Sequence, residues 1–108
     1  MSRTLVQPDM DARLEAGVLR LPPGMREGFL LYVRHGVRPG HFLLAILSND
    51  LAEACKRADP DNQRALYDYF YVLHNYTPSE CWGQPSAVNA WITKGQELRR
   101  EHTSESAL

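Results

Sequence analysis

The run Phe42-Leu43-Leu44-Ala45-Ile46-Leu47 constrains this chain more than any other feature. Six consecutive apolar residues leave no polar side for water, and a helix that is apolar all round has to be surrounded by protein. Pro39-Gly40 stands immediately before the run, and proline suits the first turn of a helix because its missing N–H has no partner there anyway. A helix over 39–57 is therefore expected at the centre of the fold, with Leu43, Ile46 and Leu47 in the core.

Helix punctuation continues on both sides. Pro22-Pro23 precede a helix over 24–35 that places Met25, Phe29, Tyr32 and Val33 at i, i+4, i+7 and i+8. Gly36 supplies the left-handed residue that ends it, with Val37 packing back on Tyr32. Asp59-Pro60-Asp61 reads as an N-cap, a first-turn proline and a carboxylate favoured by the helix dipole. This third helix is expected to reach Asn75, turning Leu66, Tyr69, Phe70 and Leu73 to the core, and Thr77-Pro78 stops it. Pro85 opens a last helix with Val88, Trp91 and Ile92 on one face. Arg3 to Val6 is the only strand candidate. The expected fold class is all-α, a compact bundle of four principal helices. Residues 1–21 read as a leader holding one short helix over 8–16, 22–94 as the compact domain, and 95–108 as a flexible or frayed helical tail.

Composition narrows the function classes. Twelve Lys+Arg against thirteen Asp+Glu give a net charge of −1, which excludes a generally polybasic coat for nucleic acid. No apolar run approaches the ~18–20 residues needed to cross a bilayer. No basic-then-apolar start resembles a signal peptide, so a cytoplasmic location is expected. Cys55 and Cys81 are too few for a disulfide framework or a complete zinc site. Cys55, beside Lys56, lacks the context of a Cys–His nucleophile and reads as a small buried residue. Glu27, Glu53 and Glu80 have no spacing that argues for an acid/base pair. No catalytic residue, cofactor or metal is expected, and the chain reads as a non-enzyme.

Two constellations stand out. Residues 20–41 hold Arg20, Arg26, Arg34 and Arg38 against Glu27 alone, and the start of the apolar helix lies in this window. Arg34, Arg38, Gly40 and His41 form a candidate anion site there, combining free backbone N–H groups with guanidinium charge. The same residues also read as an ordinary helix junction. Further on, Ser48-Asn49-Asp50 interrupts the apolar helix, and Asp50 is expected to pair with an arginine such as Arg34. The second constellation is aromatic: Tyr67, Tyr71 and His74 lie at i, i+4 and i+7 beside the core stripe. With Tyr76 and Trp82 these tyrosines form a candidate interface, since aromatic residues bury large area at low entropy cost.

Met25-Arg26-Glu27-Gly28, Tyr32, Gly36 and Pro39-Gly40 are followed by Phe42-Leu43, Ala45, Leu47-Ser48-Asn49-Asp50-Leu51, Arg57-Ala58-Asp59 and Asn62. Then come Leu73, Asn75, Pro78, Trp82-Gly83, Pro85, Val88 and Trp91-Ile92. This pattern resembles a family of small uncharacterised proteins encoded by phages and prophages. His74 stands where an aromatic residue is expected and Gln84 where a serine is expected. The resemblance implies a phage-type accessory role, such as inhibiting a host defence, and assigns no residue a task.

The expected function is thus a non-catalytic accessory binding protein, a homo-oligomer, acting on a host protein or sequestering an anionic nucleotide ligand. The alternative is a small DNA- or RNA-binding protein of helix-turn-helix type around Gly36. The apolar character of the following helix disfavours it, because a recognition helix shows polar side chains to bases.

Overall fold

Gly40 caps the apolar helix with extended backbone, and α3 (His41–Leu47) buries Phe42, Leu43, Ala45, Ile46 and Leu47. The computed structural model describes residues 4–107, with side chains described as far as Glu101. The expected continuous helix over 39–57 needs correction, because α3 ends at Leu47 and a separate α4 (Leu51–Arg57) follows. Between them Asn49 takes φ 61°, a left-handed conformation that asparagine tolerates better than most side chains. Asp50 then N-caps α4, accepting from the Glu53 N–H at 3.1 Å. Spent as a cap, Asp50 does not form the expected pair with Arg34. Cys55 is exposed rather than buried, since α4 turns only Ala54 fully inward.

Asp59 caps as expected, accepting from the Asn62 N–H at 2.8 Å. The helix expected to run to Asn75 nevertheless divides into α5 (Pro60–Arg64) and α6 (Leu66–Tyr76). At Ala65 the N–H is shared between the carbonyls of Asp61 and Asn62, a tightened ending that closes α5. In the register that α6 then adopts, Tyr69, Val72 and Leu73 form the buried stripe. Phe70 and Leu66 are consequently only partly buried, a correction for Phe70 as a core residue. The Tyr69 hydroxyl donates to Asn62 Oδ1 at 2.6 Å, so the one buried asparagine is satisfied from within the core.

On the other side of α3, α2 (Pro23–His35) ends at Gly36 with φ 64°, as its sequence predicts. The N–H groups of Gly36 and Val37 return to the carbonyls of Tyr32 and Leu31. The last helix, α7 (Pro85–Ala107), includes most of the segment expected as a flexible or frayed helical tail. Gly95 sits within it for a packing reason: a Cβ there would lie 2.8 Å from Gly36 Cα. The backbones of α2 and α7 therefore touch at two glycines. Trp91 locks this crossing, its Nε1 donating to the carbonyls of Tyr32 and Val33 at 3.0 and 3.1 Å. The Tyr32 hydroxyl in turn donates to the Cys81 carbonyl at 2.6 Å, joining α2 to the 3-10 turn Ser79–Cys81.

The stretch read as a leader folds as α1 (Pro8–Gly17) and a 3-10 turn, Val18–Arg20, both packed on α6. Leu14, Val18 and Leu21 from it, and Val6 before it, belong to the core. Thr4 to Gln7 form no strand; the Leu5 N–H instead meets the Arg34 carbonyl at 2.7 Å, and Arg3 lies outside the described residues. The fold is all-α, but among the described residues it has seven α-helices and two 3-10 turns rather than four principal helices. Two of the long helices that the apolar periodicity predicts are each divided in two, one at Asn49-Asp50 and the other at Ala65.

Candidate functional site

The outer side of α6 carries the tyrosines. Tyr67 and Tyr71, one turn apart, bring their ring centroids to 6.2 Å, and Tyr71 approaches Tyr76 at 6.3 Å. Tyr67 stands 72% exposed, whereas Tyr71 and Tyr76 are half-buried. The packing of α1 and its 3-10 turn against α6 adds two cations. The Arg20 guanidinium lies 3.9 Å from the Tyr71 ring centroid, and Arg13 lies 5.7 Å from that of Tyr76. Arg20 is also tethered to Asp68, donating to Oδ1 through Nε at 3.2 Å and Nη2 at 3.1 Å. The body of Tyr76 rests on Gly17, where a Cβ would come within 2.8 Å of its ring. Leu19, in the same turn as Arg20, is 64% exposed. The result is a strip of three phenol rings, two of them faced by arginine, with an exposed leucine at its edge. Such a strip can bury apolar area while its hydroxyls and guanidinium groups stay wet.

Trp82, expected with the tyrosines, stands apart from them. Its ring packs against Phe70 at 6.4 Å, outside the row of tyrosines. The neighbouring Gly83 N–H donates to the Leu47 carbonyl at 2.7 Å, which ties the loop to the end of α3 and draws the indole inward. His74 is exposed on α6.

At the helix junction expected to hold an anion, the four residues are not equally placed. Arg34 bridges back to α1, with Nε 2.5 Å from Asp11 Oδ1 and Nη2 on Glu15. Burial works to lower its pKa, but the hydrogen bonds and charge of Asp11 and Glu15 outweigh that and raise it. A guanidinium already balanced by two carboxylates offers little to a further anion. The helix that starts at His41 is only seven residues long, and Arg38, Gly40 and His41 stay exposed at the junction.

Three titratable side chains of the interior are shifted by burial. Burial pushes the Cys81 thiol up to about 11, so it is protonated at neutral pH. Burial likewise raises the phenols of Tyr32 and Tyr69 above their ordinary range, with the charges of Cys81 and Asp59 adding to it. Among the described residues no group of three or more His, Cys, Asp or Glu side chains could hold a metal ion. No helix of the described residues is long and apolar enough to cross a membrane.

Arg13, Arg20 and Leu19 are the site residues that the sequence alone does not deliver. The basic window contains Arg20, but Asp68 and Tyr71 lie far along the chain. The clue available was the pair Met10 and Leu14, the apolar edge by which α1 docks. Compared with family models, with curated proteins and with solved structures, the chain finds no match.

Proposed function

We propose that this chain is a non-catalytic binding protein whose recognition surface is the tyrosine strip of α6, and that it self-associates through that strip. The observation that carries the reading is the pairing of a 72%-exposed Tyr67 with a Tyr71 whose ring centroid lies 3.9 Å from the Arg20 guanidinium. A preformed cation–aromatic stack keeps large side chains ordered before contact, which lowers the entropy cost of association. Tyrosine and arginine are also the residue types that dominate the energetics of protein interfaces. A two-fold pair would set the same strip of each copy against the other and so cover the exposed Tyr67 of both. The resemblance to phage-encoded proteins supports an accessory role in which such a surface engages a host protein and blunts a defence.

The helix-turn-helix alternative has less to stand on. The helix after Gly36 buries five of its seven residues and so has no polar face to lay along a groove. Light scattering over micromolar concentrations tests the main reading. The expected mass is at least twice 12.3 kDa. A mass of one chain throughout this range would contradict it.

A further inference from the structure

From the cleft beside the tyrosine strip we infer a binding site for a nucleoside phosphate, held by Arg20, Arg26 and Arg64. The cleft has a volume of about 460 Å³ and lies between the Val18–Arg20 turn, the start of α2 and the α5–α6 break. That size lies within the range of small-molecule sites, ~300–1,000 Å³. Three arginines line it, against Asp61 and Asp68.

The three cations differ in how they are held. Arg26 donates through Nε to the Leu21 carbonyl and through Nη2 to the Leu19 carbonyl, each at 3.0 Å. Carbonyls fix its position without cancelling its charge, and among the described residues no carboxylate pairs with it. Arg20 pairs with Asp68 and Arg64 with Asp61, both near the surface, where such ion pairs are weak and exchange readily. A phosphate oxygen competes with Asp61 and Asp68 for these two exposed guanidinium groups and gains in addition the positioned, carboxylate-free charge of Arg26. Leu19, Leu21, Pro22 and Pro23 supply an apolar wall, which suits the flat base of a nucleoside better than a bare inorganic ion.

The site shares Arg20 with the tyrosine strip, but Arg26 and Arg64, the residues its variants change, lie outside the strip, so its outcome can be read apart from self-association. Titration calorimetry at low salt, with ADP, adenosine and inorganic phosphate as separate probes, tests it. ADP is expected to bind, more weakly as salt rises, while adenosine gives no heat and phosphate binds at least about tenfold more weakly than ADP. Arg64→Gln, on an exposed side chain, should weaken ADP binding roughly tenfold with an unchanged melting temperature. Arg26→Gln should abolish it; because Arg26 also braces the 3-10 turn, the Arg64→Gln result decides if that variant does not fold. Absence of ADP binding at millimolar ligand would overturn the site. So would ADP binding that Arg64→Gln leaves untouched. Phosphate binding as tightly as ADP would overturn the nucleoside assignment. Light scattering on the same samples keeps this result separate from the oligomer question.

Discussion

Gly36 and Gly95 carry the closest backbone approach between α2 and α7, and each fails differently when given a side chain. Gly36 has φ 64°, and a Cβ on it would meet the Trp91 carbonyl at 2.6 Å. Gly95 lies inside a helix, where alanine is normally favoured, yet its Cβ would press on Gly36 and the His35 carbonyl. Both Gly36→Ala and Gly95→Ala are expected to destabilise by about 1–3 kcal/mol, read from urea unfolding. A gain in stability for Gly95→Ala would mean the two helices do not touch there. Only one of this pair was legible in the sequence. Gly36 ends an amphipathic run just before Pro39, a local signal, whereas the reason for Gly95 sits far away in the chain. Burial also gives the molecule an alkaline limit. Cys81, Tyr32 and Tyr69 have ordinary values of 9.0, 10.0 and 10.0, all raised in the fold. As pH rises the unfolded chain loses these protons first while the folded chain keeps them, so folding is penalised. Stability should be full below about pH 9 and then decline by about 1.4 kcal/mol per pH unit for each group ionised only when unfolded. Melting temperatures by circular dichroism should fall steadily above that point; a flat profile to about pH 11 would contradict the burial of these groups.

At the scale of elements, the apolar run and the caps were readable and the breaks between helices were not. The run 42–47 predicted burial correctly for five of its six residues, where side-chain polarity alone decides it, while Leu44 is only partly buried. Ser48-Asn49-Asp50 was visible as a polar interruption, but whether it kinks a helix or ends one depends on Asn49 going left-handed. Asp59 was legible as a cap, while its neighbour Asn62 was not legible as a core residue, since its partner hydroxyl comes from Tyr69. Tyr69→Phe tests that link: it leaves Asn62 Oδ1 buried without a donor and should cost about 1–3 kcal/mol. Thermal unfolding identical to that of the parent would show that water or another group already satisfies Asn62. Ile46→Ala, at the fully buried centre of α3, should cost about 2–5 kcal/mol and threatens folding in a domain this small.

For the whole molecule, the tyrosines were legible as an aromatic face from their spacing, and the cations that organise them were not. Tyr67 and Tyr71 follow from i, i+4 geometry on one helix. Arg20 reaches Tyr71 only because Leu14, Gly17 and Val18 pack α1 and its turn onto α6, a tertiary event with little periodic trace in the sequence. Trp82 misled for the complementary reason: proximity in sequence placed it with the tyrosines, while the bond from Gly83 to Leu47 draws it to Phe70. On the proposed function, copies of this chain meet at the α6 strip. Sedimentation equilibrium on two variants locates the contact: Tyr67→Ser/Tyr71→Ser, which alters the strip, and Leu51→Ser, which alters a 54%-exposed apolar residue on α4. The expected mass falls to 12.3 kDa for the tyrosine variant, and the oligomer is unchanged for Leu51→Ser. An oligomer that survives the tyrosine changes, or one that Leu51→Ser dissociates as readily, would contradict it.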